Sequence, residues 1–164
     1  MHLLCVLFIG SAIHARGTSA AVRPSLDATW LQVARVISAR ATCSRLQVGA
    51  VLARDGRIIA TGWNGAPAGE PHCEHVSDEP CTVSIHAERN VIGFAAREGI
   101  ATGGTCLYLT HAPCWDCSSV LIAAGVSRVV YGREYKSLDG VLRLRGVGTV
   151  VQSEVEAMNA VSTK

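Results

Sequence analysis

The sequence predicts a three-layer α/β domain built on a mixed five-stranded sheet. Helix-like and strand-like stretches alternate along the chain after an initial helix and hairpin, an order typical of α/β domains. Each predicted strand is a short apolar run, and glycines mark several boundaries between elements. The chain has 164 residues, 49% of them hydrophobic, which is enough for one domain with a sizeable core.

The chain is predicted to begin its fold with a helix and a β-hairpin. Ser25 is a candidate N-cap, and apolar residues then recur at helical spacing to about residues 40–42. Two apolar runs follow, at residues 48–53 and 57–62. They flank an Asp-Gly pair, which is typical of a tight hairpin turn. These runs are therefore predicted to be the first two strands.

Helices and strands alternate in the rest of the chain. Residues 64–69 form a glycine-rich loop, and residues 70–82 contain two prolines and four acidic residues, so both stretches are predicted to be irregular. Gly99 and Gly125 each follow a helical pattern, where glycine commonly ends a helix. The predicted helices are residues 85–97, 114–124 and 137–145, and the predicted strands are residues 105–110, 128–132 and 149–151.

Charge and hydropathy argue against two classes of partner. The net charge is only +2, and no basic run with interleaved aromatic residues occurs, so no nucleic-acid partner is predicted. The apolar run at residues 3–13 is too short to span a bilayer, so no membrane partner is predicted. We expect residues 1–22 to lie outside the fold, with a true start near Val22, residues 23–152 to form the domain, and residues 153–164 to form a helical or frayed tail.

Two short motifs carry the chemistry. Residues 86–88 (His-Ala-Glu) begin one predicted helix, and residues 113–117 (Pro-Cys-Trp-Asp-Cys) begin the next. One histidine and two cysteines give three zinc ligands, which leaves a fourth position for water, whereas a structural site is closed by four. Glu88 lies two residues from the histidine and is placed to move protons. A Cys-x-x-Cys pair also occurs in structural zinc sites and redox pairs, and the helix dipole alone favours an acid at a helix start.

The pairing of His-x-Glu with Pro-Cys-x-x-Cys is typical of zinc nucleobase deaminases. Further segments along the chain are residues 43–51 (CSRLQVGAV), 62–69 (GWNGAPAG), 72–73 (HC), 85–90 (IHAERN) and 108–114 (YLTHAPC). Through these segments the chain resembles, over about residues 26–151, the deoxycytidylate deaminases of phages and their bacterial late-competence relatives. The resemblance implies a cytidine-deaminase-like α/β/α fold and hydrolysis of dCMP to dUMP and ammonia, which feeds thymidylate synthesis. Zinc-bound cysteines are thiolates, which favours a reducing, cytoplasmic location.

The resemblance also implies residue roles. The zinc ligands would be His86, Cys114 and Cys117. Glu88 would carry protons between the attacking water, the ring nitrogen and the leaving ammonia. The substrate contacts would be Asn64, Ala87, Arg45 and Tyr135. Other interpretations stay open, because Asn64 also suits a turn, Arg45 a solvated surface and Tyr135 simple packing. His111 is interpreted as pocket wall or packing.

A second, structural zinc is implied at Cys43, Cys73 and Cys81, with His72 or His75 as the fourth ligand. The alternative is that these are reduced cysteines of the loop and core. The resemblance further implies a hexamer that dCTP with Mg²⁺ activates and dTTP inhibits. Two other functions remain open: a related zinc deaminase acting on another cytosine or adenine substrate, and a non-catalytic, zinc-stabilised competence-type protein. The intact Glu88 argues against the second of these.

Overall fold

The computed structural model describes residues 23–73 and 81–161. The extension predicted at residues 1–22 and the candidate ligand His75 lie outside the described residues. None of the described helices has the length and apolar character needed to span a bilayer. The elements of the described stretches are α1 (Leu26–Ser38), β1 (Gly49–Arg54), β2 (Arg57–Trp63), α2 (Ala87–Arg97), β3 (Cys106–His111), α3 (Trp115–Ala123), β4 (Arg128–Arg133), α4 (Asp139–Gly146), β5 (Val150–Ser153) and α5 (Glu154–Val161).

The strands form one sheet in the order β2-β1-β3-β4-β5. Strand β1 is antiparallel to both β2 and β3, whereas β3, β4 and β5 run parallel. The mixed five-stranded sheet that the sequence predicts is thus confirmed. At the hairpin turn, Asp55 and Gly56 have φ angles of 50° and 71°, the left-handed geometry that a tight Asp-Gly hairpin adopts.

Helices cover both faces of the sheet, which gives the three predicted layers. Side chains of consecutive strand residues point to opposite faces, so neighbouring residues enter different cores. Leu107 and Leu109 of β3 are buried in the core formed with α2, α3 and α4. Tyr108, between them, packs with Leu31 of α1 and Ala157 of α5 on the other face.

An ion-pair network fixes α1 to the sheet. The two terminal nitrogens of Arg128 donate to the two carboxylate oxygens of Asp27 at 2.7 and 2.8 Å. The Tyr108 hydroxyl donates to the same carboxylate at 2.8 Å, and Gln152 accepts from Arg128 Nε at 3.0 Å. The hydrogen bonds from Arg128 hold the pKa of Asp27 below its usual range, although burial opposes them. The network joins α1, β3, β4 and β5.

We expect Asp27→Asn to destabilise the fold by about 1–3 kcal/mol, because it weakens a charged hydrogen-bond network that is largely shielded from water. The folded pKa of Asp27 is lowered, so its contribution is present above the unfolded value of 3.8 and is lost as pH falls through the folded pKa. Urea unfolding of both proteins at neutral pH and at progressively lower pH measures this, and the difference should shrink in acid. Glu98→Gln, in the exposed Arg97–Glu98 pair, is the control and should cost under about 0.5 kcal/mol. Equal losses for the two variants would contradict the role of the network.

Two helices begin one or two residues further along the chain than predicted. This later start places candidate zinc ligands at the N-cap positions of the two helices. Helix α2 begins at Ala87, because Ile85 and Gly65 exchange backbone hydrogen bonds in an isolated antiparallel bridge. Residue 86 is therefore the N-cap. Helix α3 likewise begins after Cys114, which is extended and whose sulfur accepts the backbone N–H of Cys117 at 3.5 Å.

Other boundaries also shift for local reasons. Helix α1 ends at Ser38 and not at residues 40–42, because the chain turns away to bring the Thr42 N–H to the Asn64 carbonyl at 3.1 Å. Part of the predicted tail forms α5, whose start is closed by reciprocal bonds between the Ser153 N–H and the Glu156 carboxylate and between the Glu156 N–H and the Ser153 hydroxyl.

Candidate active site

One cavity lies where the N-termini of α2 and α3 meet the carboxyl end of β3 and the segment before β1. This arrangement gathers residues that are far apart in the chain. The cavity contains the proposed proton carrier, two of the three candidate zinc ligands and all four predicted substrate contacts. Its lining residues are Cys43, Arg45, Leu46, Val48, Asn64, Cys81, Ser84, His86, Ala87, Glu88, His111, Ala112, Cys114 and Tyr135.

The three candidate zinc ligands converge. The ligand atoms of His86, Cys114 and Cys117 all lie within 4.8 Å of one another. His86 Nδ1 is 3.6 Å from the sulfur of Cys114 and 3.3 Å from that of Cys117. Tetrahedral zinc with Zn–N near 2.0 Å and Zn–S near 2.3 Å would hold nitrogen and sulfur about 3.5 Å apart. The donor set therefore fits a zinc ion in both chemistry and spacing.

The electrostatics of the cluster also favour a metal. Contact with the Cys117 thiol, followed by the His86 ring, lowers the pKa of Cys114 to about 3. The same contact with Cys114 raises the pKa of Cys117, so the two sulfurs share one proton. The hydrogen bond to Cys114 raises the pKa of His86. A divalent cation would displace the shared proton, because metal ligands bind as thiolates and neutral imidazole.

Glu88 lies in the first turn of α2 and is only 4% exposed. Burial raises the pKa of its carboxyl group above the usual value, although its own backbone N–H and the charge of His86 oppose the shift. A carboxyl group whose pKa is moved towards neutrality can both accept and return a proton. Glu88 is therefore suited to a proton shuttle beside the metal ligands.

Asn64 is buried at the edge of the cavity and is largely engaged with the protein. Its Oδ1 accepts from the Val48 N–H at 2.7 Å, and its Nδ2 donates to the Leu46 carbonyl at 2.7 Å. An amide side chain has two N–H donors and two acceptor lone pairs. One donor and one lone pair therefore remain beyond these two bonds, so Asn64 can hold its loop and still contact a ligand.

The other predicted substrate contacts also lie at the cavity. Arg45 and Tyr135 are half-buried and line it, and Tyr135 packs against the core as well. Ala87 is fully buried at the first position of α2, where backbone N–H groups lack partners within the helix. His111 lines the cavity as part of its wall. Ser84 also lines the cavity, but the sequence does not predict it there, because a serine two residues before His86 belongs to no motif that indicates a site.

A second group of sulfurs lies beside the first site. The sulfurs of Cys43, Cys73 and Cys81 lie within 4.8 Å of one another, and two of these residues also line the cavity. Burial, with the neighbouring thiols of Cys81 and Cys43, raises the pKa of Cys73 to about 11. His72 is exposed and is not part of this group in the described stretches, while His75 lies outside them.

The backbone of the Cys114 turn leaves no room for a side chain at Gly140 of α4. A Cβ there would lie 2.2 Å from the Pro113 carbonyl oxygen and 2.6 Å from that of Cys114. We expect Gly140→Ala to cost about 1–3 kcal/mol and to weaken metal binding, because the turn that carries a ligand must move. Chemical unfolding and zinc titration measure both effects. Gly146→Ala, in the same helix with nothing within 4 Å, is the control, and a similar loss there would contradict the steric explanation.

Comparison with known proteins agrees with this site. Residues 24–133 match the family model for the cytidine and deoxycytidylate deaminase zinc-binding region. ComE operon protein 2 of Bacillus subtilis is 37% identical over 143 residues, which cover 83% of this chain and 75% of that protein. The deoxycytidylate deaminase of Mycobacterium phage D29 is 36% identical over 127 residues, which cover 68% of this chain and 98% of that protein.

A solved structure gives the same result at the level of the fold. The dCMP deaminase of cyanophage S-TIM5, in complex with dCMP and dUMP, superposes with a TM-score of 0.75 at 34% sequence identity. The match covers 80% of this chain and 98% of the cyanophage chain. With the family model and the curated relatives, it shows that this chain belongs to the cytidine and deoxycytidylate deaminase family.

Proposed function

We propose that this protein is a zinc-dependent dCMP deaminase, which hydrolyses dCMP to dUMP and ammonia. The observation that carries the proposal is the buried carboxyl of Glu88 beside the convergent ligand atoms of His86, Cys114 and Cys117. A purely structural metal site has no use for such a carboxyl group. The choice of dCMP rests on the relatives, since the phage D29 protein is named a deoxycytidylate deaminase and the cyanophage structure contains dCMP and dUMP.

The chain's own residues would divide the reaction between them. His86, Cys114 and Cys117 would hold zinc, which supplies Lewis-acid activation of water in hydrolytic sites. Glu88 would accept a proton from the water that attacks C4 of the cytosine ring. It would deliver that proton to N3, then take the proton of the hydroxyl now on C4 and pass it to the amine. The C4–N bond would break as ammonia leaves, and the oxygen from water would remain on C4 as the carbonyl of dUMP. The burial of Glu88 favours each transfer, because it keeps bulk water from competing for the proton.

The remaining cavity residues would bind the nucleotide. Asn64 would use its free N–H or lone pair towards the deoxyribose, with its orientation fixed by Val48 and Leu46. The backbone at Ala87 would meet the pyrimidine edge, and Arg45 would contact the phosphate. Tyr135 would form part of the wall. All of these groups are within the same cavity as Glu88.

Several finer features are part of the proposal. The sulfurs of Cys43, Cys73 and Cys81 would hold a second, structural zinc, which their mutual approach supports. That ion would hold Cys73 and Cys81 against Cys43 and so support the cavity wall to which Cys43 and Cys81 belong. Resemblance to the family further suggests a cytoplasmic homohexamer with dCTP and Mg²⁺ as activator and dTTP as inhibitor.

A substrate panel tests the proposed function. Zinc-loaded protein is incubated separately with dCMP, CMP, deoxycytidine, dCTP and a transfer RNA, and ammonia release is measured with and without a zinc chelator. We expect zinc-dependent release from dCMP well above that from every other compound. Faster turnover of deoxycytidine or of the transfer RNA would assign a different deaminase. No release from any compound by zinc-loaded protein would favour a non-catalytic role.

A further inference from the structure

We propose that His111 donates a hydrogen bond from Nε2–H to an acceptor oxygen of the nucleotide, and that Thr110 acts as a positioning residue by fixing this tautomer. This inference rests on the proposed function, because it concerns the same cavity. It adds a binding role to a residue that the sequence indicates only as pocket wall or packing.

Strand geometry places the His111 ring at the site. Side chains alternate along β3, so His111 lies on the same face as Leu107 and Leu109, which pack with α2 and α3. This is the face covered by α2, which carries Glu88 in its first turn, and both His111 and Glu88 line the cavity. A ring at the carboxyl end of β3 is therefore directed to the space a nucleotide would occupy.

The hydrogen bonds of Thr110 determine which ring nitrogen carries the proton. The Gly49 N–H donates to Thr110 Oγ1 at 3.1 Å, and a backbone N–H can only donate. Thr110 Oγ1 also lies 3.0 Å from His111 Nδ1. Thr110 is 8% exposed, so its hydroxyl proton needs an acceptor within the protein. Nδ1 is the acceptor at hydrogen-bond distance, and an accepting Nδ1 leaves the proton of a neutral imidazole on Nε2.

The surroundings of the ring favour its neutral form. Burial, followed by the charge of Arg133, lowers the pKa of His111. In the described part of the chain, Nε2 makes no hydrogen bond to the protein. The relay from Gly49 through Thr110 thus leaves one oriented donor for the cavity. The nucleotide has hydrogen-bond acceptors at the base carbonyl, the deoxyribose and the phosphate. Glu88 acts elsewhere, at C4 and N3 of the base.

The tautomer is measured first, without any need for activity. In zinc-loaded protein with 15N-labelled histidine, the ring nitrogen shifts of His111 should show a proton on Nε2 and none on Nδ1. Thr110→Val should lose this preference, whereas Thr110→Ser should restore it, because serine keeps the hydroxyl. Thermal unfolding of the same variants separates this effect from a loss of stability at Gly49. A proton found on Nδ1 in the unaltered protein would overturn the proposal.

Steady-state kinetics with dCMP measure the role in binding. Removal of one neutral hydrogen bond should raise KM up to about tenfold with kcat nearly unchanged, because the bond stabilises the bound substrate and the transition state equally. We expect this for His111→Phe and Thr110→Val, while His111→Gln, whose amide can donate from a similar position, should recover most of the affinity. Unchanged KM in His111→Phe, with dCMP still turned over, would overturn the inference and leave the proposed function intact.

Binding of the product dUMP shows which part of the nucleotide accepts the hydrogen bond from His111. The affinities of dUMP and deoxyuridine for the unaltered and His111→Phe proteins are compared by calorimetry. Loss of affinity for dUMP alone would place the bond at the phosphate, and loss for both would place it at the base or sugar. Equal affinity of the two proteins for both ligands would contradict the donor role.

Discussion

Glu88→Gln should retain zinc and lose about 10²–10⁴-fold in the rate of dCMP deamination, because general acid–base groups contribute on this scale. The amide has nearly the same shape but cannot accept and return a proton. Rates from ammonia release, set against zinc content measured on the same sample, test this expectation. The effect should fall mainly on kcat, since the proton transfers occur after the substrate binds.

The control for this variant is Asp116→Asn, which changes a carboxylate to an amide within the Cys-x-x-Cys motif. Asp116 has a side chain that is 75% exposed, and its partner Arg89 is also partly exposed. An exposed ion pair contributes little, so the rate should stay close to that of the unaltered protein. If Glu88→Gln remained fully active, the proposed proton path would be wrong.

Cys117→Ser should abolish both zinc binding at the first site and activity. Three ligands are the minimum at a catalytic zinc centre, and Cys117 is completely buried, so no outside group can replace its sulfur. Mutation of a residue that only hydrogen-bonds to a metal ligand weakens metal binding about 10–100-fold. Removal of the ligand itself should weaken zinc binding by more than this. Zinc content after dialysis against a weak chelator measures the change.

Cys106→Ser is the matched control, since Cys106 lies in β3 outside both sulfur groups. It should keep the zinc content and activity of the unaltered protein. If both cysteine groups bind metal, Cys117→Ser should fall from two zinc ions per chain to one. An unchanged zinc content in Cys117→Ser would contradict the assignment of the ligands.

The fold and the central site could be predicted because their signals are local. Hydrophobic periodicity indicates the helices and strands, and the Asp-Gly pair indicates the hairpin. The catalytic motifs combine residues only two or three positions apart, and the convergence of His86 with Cys114 follows once both begin helices at one edge of the sheet. The family comparison confirms the predicted family, and the sheet topology confirms the predicted architecture.

Features that depend on distant contacts could not be predicted. The start of α2 depends on the bridge between Gly65 and Ile85, which are separated by the loop after β2. The tautomer of His111 depends on Gly49, which reaches Thr110 only through pairing of β1 with β3. Such contacts follow from the packing of the whole domain, and no local pattern indicates them.

Hydrolysis of dCMP in water enriched in ¹⁸O tests the central claim most directly. The zinc-loaded protein is incubated with dCMP, the product is analysed by mass spectrometry, and ammonia is measured in the same sample. The proposed reaction predicts dUMP that carries one ¹⁸O atom at C4 and an equal amount of ammonia. Zinc-loaded, folded protein that forms no dUMP, or dUMP without oxygen from water, would contradict the assignment as a hydrolytic dCMP deaminase.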